Sequence, residues 1–85
     1  MEKKKEVTIE APVAVGEVTL IPVAKVSMKY EYSKRGISFF GVKQPIAVVV
    51  ISVSARRAFR ITGEEVSIGQ LVQEIPGLKG VLEGI

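Results

Sequence analysis

The chain has 85 residues, 47% of them hydrophobic and 25% charged, with 12 Lys and Arg against nine acids and a formal net charge of +3. It contains no Cys, His, Trp, Asp or Asn, so all nine acids are Glu. Those absences remove disulfides, thiolate nucleophiles and zinc sites, the usual proton shuttle near neutral pH, and the aspartates on which most metal-assisted phosphoryl chemistry relies.

Residues 1–6, rich in Lys and Glu, read as a flexible charged tail. A single domain then fills 7–85. Val7–Ala11 alternates apolar and polar residues, which predicts a first strand, and Pro12 and Gly16 bracket a turn-like piece. From Val18 to Ser33 a period of two predicts a long strand. Leu20, Ala24, Val26, Met28, Tyr30 and Tyr32 share its dry face, and Lys25, Ser27 and Lys29 its wet face, with Ile21 and Val23 as exceptions. Pro22 donates nothing to a ladder and belongs at a bulge, an edge or a strand start.

Lys34-Arg35-Gly36 signals a turn. A short strand over Ile37–Phe40 follows, interrupted at Gly41 by a bulge or close backbone approach. Ile46–Val53 is apolar on both faces and β-branched, as expected of a strand covered on both sides. Ser54–Arg57 reads as a hairpin turn, Ala58–Thr62 as the return strand, and Gly63–Glu65 as its end. Ser67 and Gln70 have the spacing of a capping box. Ile68, Leu71, Val72 and Ile75 then recur at helical spacing, Pro76-Gly77 breaks the helix, and Leu78, Val81, Leu82 and Ile85 repeat the pattern. The expected fold is therefore α+β and β-dominated, with strands over about 7–62 and a short C-terminal helical segment, about 67–84, packed on an antiparallel sheet.

"IPVAKV" and "QPIAVV" look like a repeated phrase but read better as two strands that each begin after a proline. The second is dry on both sides. A domain this small cannot easily hide so much apolar surface, and homo-oligomerisation is the ordinary solution. The face carrying Ala47, Val49, Ile51 and Val53 is the expected oligomer interface.

Residues 25–62 carry eight cations against Glu31 alone, a net of +7, whereas residues 63–85 carry four Glu against Lys79, a net of −3. Lys25, Lys29, Arg56, Arg57 and Arg60 are the candidate contacts to an anion or to single-stranded nucleic acid, with Tyr30, Tyr32, Phe39 and Phe40 as stacking surfaces. Against this, the tyrosines alternate onto the face opposite Lys25 and Lys29, and charge runs are usually solvated faces. No phosphate-binding glycine loop occurs, and no serine–lysine pair is placed together by any pattern. No catalytic, cofactor-binding or metal-binding residue is expected. No apolar run reaches the roughly 20 residues of a helical span, nor does a signal-peptide core occur; a cytoplasmic protein is expected. Glu, Lys, Val and Ile without Asn or Cys resemble thermophilic composition.

"VGEVTLIPVAKVSMKYEY", followed by "GISFFGVKQPIAVVVI", resembles the sporulation-protein family of the YtfJ/GerW type. That family carries a Gly-Asp/Glu-x-Thr strand leading to Pro-Val-x-Lys-Val-Ser, matched here by Gly16–Ser27, then Gly-Val-x-x-x-Pro-Ile/Val-Ala, matched by Gly41–Ile51. The resemblance covers roughly residues 10–62. The family's long Gly-rich segment is reduced here to "SKRGISFFG". The resemblance implies a role linked to sporulation or germination in bacterial relatives, and neither an enzymatic activity nor site residues to carry over. The expected function is a non-enzymatic, self-assembling interaction module. The alternatives are a nucleic-acid or anion binder and, less favoured, a small-ligand binder at a subunit interface.

Overall fold

The computed structural model describes residues 2–85. It is strand-dominated, with six antiparallel strands and two short C-terminal helices packed against one face of the sheet. The strands are β1 (Glu2–Ile9), β2 (Val13–Val15), β3 (Val18–Ser33), β4 (Gly36–Ile51), β5 (Arg56–Arg60) and β6 (Glu65–Val66), followed by α1 (Ile68–Glu74) and α2 (Leu78–Glu83). The sheet order is β1-β3-β4-β5-β6, and β2 continues the β1 edge along the other end of β3.

β1 starts at Glu2, inside the stretch expected to be a charged tail. Its residues from Glu2 to Ile9 run alongside Tyr30 to Val23 of β3, so the exposed β3 backbone finds a partner. Val13 begins a separate strand because Glu10–Pro12 loops out opposite Pro22. The Pro22 carbonyl accepts a hydrogen bond from the Glu10 N–H at 2.8 Å. In an antiparallel ladder a residue's nitrogen and carbonyl point to the same side, so the donor that proline lacks is missing only at this gap.

β4 is one strand of 16 residues, not the two expected. The register passes straight through Gly41, opposite Met28, and breaks instead between Pro45 and Ala47, which oppose Ala24 and Val23. Ile46 is the extra residue, and its carbonyl accepts from the Ile61 N–H at 3.0 Å. The following turn lies at Ser52–Ala55, closed by Ser52 N–H to the Ala55 carbonyl at 2.8 Å. Arg56 and Arg57 therefore belong to β5, opposite Ile51 and Val50, rather than to a hairpin tip.

The core sits under the helices at one end of the sheet. Register aligns Ile21, Val49, Ala58 and Val66 side by side across four strands. They pack with Val23 and Ala47 against Leu71, Ile75, Leu78 and Leu82. Ile21 and Val23, the exceptions to the pattern in β3, are thus its core residues. Ala47 and Val49 lie in this protomer core at 3% and 0% exposure, where no second subunit can reach them. Ile51 is half-buried beside them, and Val53 is 92% exposed beyond the strand. Ala47 and Val49 are therefore removed from the expected interface, because the helices already cover them.

Ser67 caps α1 as its spacing predicts, its Oγ accepting from the Gln70 N–H at 3.0 Å. Gly77 ends the break between the helices at φ 87°, a conformation costly for any residue with a Cβ. Ser67→Ala should lower unfolding free energy by about 1 kcal/mol, read as a reduced urea midpoint with an unchanged slope.

Candidate interaction surface

Beyond the core the sheet continues as an arm. A helix of six or seven residues spans only about 10 Å, whereas a 16-residue strand runs about 53 Å. The helices therefore cannot cover β3 and β4 to their tips. The radius of gyration is 16.0 Å and the extents are 57 × 24 × 24 Å, against about 12 Å for a compact chain of this length. The two-residue turn Lys34-Arg35 closes the arm, with Ser33 opposite Gly36. Gly36 has φ 125°, a conformation essentially reserved for glycine. The Ser33 Oγ accepts from the Arg35 N–H at 3.2 Å, tightening the turn.

The arm carries apolar groups on both faces. On the face away from the helices, Tyr30 opposes Phe39 and Tyr32 opposes Ile37. Tyr30 meets Tyr32 edge-on at 5.8 Å and lies 6.1 Å from Phe39. On the other face Phe40 opposes Lys29 and Val42 opposes Ser27. Phe39 is 68% and Phe40 66% exposed, and Tyr32, Ile37 and Val42 are also open to solvent. Clustered exposed apolar side chains are a general feature of interaction surfaces. Sequence reading put Tyr30 and Tyr32 on the dry face of β3 and offered them, with Phe39 and Phe40, as stacking surfaces; what it missed is the protruding arm that leaves Tyr32, Phe39 and Phe40 exposed. The signal was present, because Phe39 and Phe40 are adjacent and so must point to opposite faces of any strand.

The arm is also an open edge. β5 pairs with β4 only over Ala47–Ile51, and among the described residues no strand pairs with the outer side of β4 from Gly36 to Pro45. Such an edge presents free N–H and C=O groups, and proteins usually guard it with charge or proline. Here Lys43 and Pro45 guard only the inner end, and Lys43 is engaged by Glu10 in an ion pair. That pair reaches across β3 near Ala24, which is 4% exposed although it lies outside the core cluster.

The candidate anion-binding cations are not gathered. Arg57 binds Glu65 through Nε and Nη2 at 2.9 and 2.7 Å, with its guanidinium 5.3 Å from the Phe59 ring centre. Arg60 bonds Glu74 of α1 at 2.9 Å. These two pairs raise both arginine pKa values, and hydrogen bonding to the arginines lowers those of Glu65 and Glu74. Arg57 alternates onto the open face of β5, and Arg56 and Arg60 onto the helix face. Lys25 and Lys29 lie on β3, where Lys29 lines a shallow depression with Lys5, Ser27, Met28 and Val42.

A carboxylate whose pKa is depressed by folding stabilises the fold above its unfolded pKa and stops doing so as pH falls through its folded pKa. Stability should therefore fall on acidification below the ordinary carboxylate range. Glu65→Gln with Glu74→Gln should flatten that part of the curve, followed by thermal unfolding as a function of pH.

No group of three or more metal-ligating side chains occurs among the described residues, and none of their helices is long and apolar enough to cross a membrane. No family model, curated protein or solved structure matches the chain.

Proposed function

We propose that this protein is a non-enzymatic interaction module that assembles with copies of itself through the arm formed by β3 and β4. The observation that carries this reading is the exposure of Tyr32, Ile37, Phe39, Phe40 and Val42 on a ribbon whose outer edge is unpaired. Left in water, that combination favours uncontrolled edge association; a specific partner removes the hazard. The sporulation-protein-like pattern over Gly16–Ser27 and Gly41–Ile51 agrees with this role, because that resemblance implies no reaction.

Sedimentation velocity across the micromolar range tests it. Dimers or larger species are expected, and a protomer-sized particle throughout would overturn the reading. The nucleic-acid alternative draws on Lys25, Lys29, Arg56, Arg57 and Arg60, two of which are already engaged by glutamates. Binding to single-stranded oligonucleotide that weakens steeply with salt would favour it; no binding at low salt would remove it. A small ligand held between subunits is the third reading, and it requires the assembly first.

A further inference from the structure

We propose that the partner of the open β4 edge is the same edge of a second copy, paired antiparallel about a two-fold axis at Phe40. This rests on the assembly reading above and specifies its interface. In an antiparallel pair, backbone groups alternate between the two sides of a strand. Ser33 and Gly36 close the hairpin, so Gly36, Ser38, Phe40, Val42 and Gln44 direct their groups toward β3. Ile37, Phe39, Gly41 and Lys43 direct theirs outward. Pro45 is next in that outward series, and it has no N–H to offer.

The four outward residues are symmetric about Phe40. Two-fold pairing there sets Phe39 against Gly41 of the second copy, and Ile37 against Lys43 of the second copy, so each outward N–H and C=O finds a partner. The pairing ends at Pro45, where the edge loses its donor. Side chains agree with this register. Phe40 meets Phe40, Ser38 meets Val42, and Phe39 covers the bare Gly41 backbone, an arrangement that suits aromatic and glycine residues on neighbouring strands. Centring one residue earlier, on Phe39, would instead set Arg35 opposite Lys43 of the second copy, a like-charge pair that opposes association.

The absence of cysteine makes the register directly testable. Ser38 and Val42 of two copies would form a non-hydrogen-bonded pair with Cα atoms about 4.5 Å apart, inside the range a disulfide spans. Within one strand the same residues are about 13 Å apart, too far to bridge. The double variant Ser38→Cys, Val42→Cys should therefore yield a disulfide-linked dimer on oxidation, read on a non-reducing gel. Ser38→Cys alone and Val42→Cys alone should not, because each faces its own copy at about 13 Å. Gly41→Pro removes one outward N–H per copy at a position where an added Cβ meets only the Ser27 carbonyl at 3.9 Å. It should weaken the dimer about tenfold with an unchanged circular dichroism spectrum.

A dimer by sedimentation whose double variant does not cross-link, or whose single variants cross-link equally well, overturns the β4 pairing and leaves the assembly reading standing. A protomer at every concentration overturns both.

Discussion

Val49→Lys is expected to leave the chain unfolded at 25 °C, whereas Val53→Lys is expected to fold as the parent does. Val49 is fully buried where β3, β4 and β5 meet the helices, and Val53 is 92% exposed. The first change forfeits roughly 2 kcal/mol of valine burial. It also places an ammonium among Ile21, Ala58 and Leu71, where desolvation costs several kcal/mol more. A domain of this size holds on the order of 5 kcal/mol in total, so the loss exceeds the margin. Far-UV circular dichroism and urea titration of both variants decide the matter. A folded but monomeric Val49→Lys protein would return Val49 to an oligomer interface and contradict the core described above.

This pair of residues also shows what the sequence could and could not convey. Ile46–Val53 reads correctly as a strand apolar on both faces, but alternation does not say which face the same chain covers. That depends on where α1 and α2 land, and they land on Ala47 and Val49 while leaving Val48 and Val50 on the open face. In β3 the same ambiguity inverted the assignment. Six apolar residues on the even positions outnumber Ile21 and Val23, yet the two odd residues lie beneath the helices, and Met28 and Tyr32 project into solvent.

Local chemistry was more legible. The Ser67 cap, the Pro76-Gly77 break, the Lys34-Arg35 turn and the helical spacing of Leu71, Ile75, Leu78 and Leu82 all have short-range causes, and the structure shows each of them. The bulge at Ile46 and the two-residue β6 have no such cause. The bulge is tied to the far end of β5, where the Ile61 N–H reaches the Ile46 carbonyl, and β6 exists only through its pairing with Ala58 and Phe59 of β5. The arm itself was implied by length alone, since helices this short cannot pave strands this long.

Cutting the arm back should separate assembly from folding. Removing residues 28–41 and joining Ser27 to Val42 through an Asn-Gly turn preserves their register and supplies a favoured two-residue hairpin loop. Every residue of the core cluster lies outside the deleted segment, and none of the deleted residues is buried. The shortened chain should therefore keep an unfolding midpoint close to that of the parent protomer. It should lose self-association, and its radius of gyration should fall from 16.0 Å to about 11 Å by the scaling of compact chains. Small-angle scattering and sedimentation measure the last two together. The cost falls on β1, whose first residues, Glu2–Lys5, lose the partners Tyr30–Met28 and keep only Ser27; increased hydrogen exchange confined to that stretch is the expected signature. A shortened chain that is unfolded would show that the arm stabilises the core, and one that still dimerises would place the interface elsewhere on the sheet.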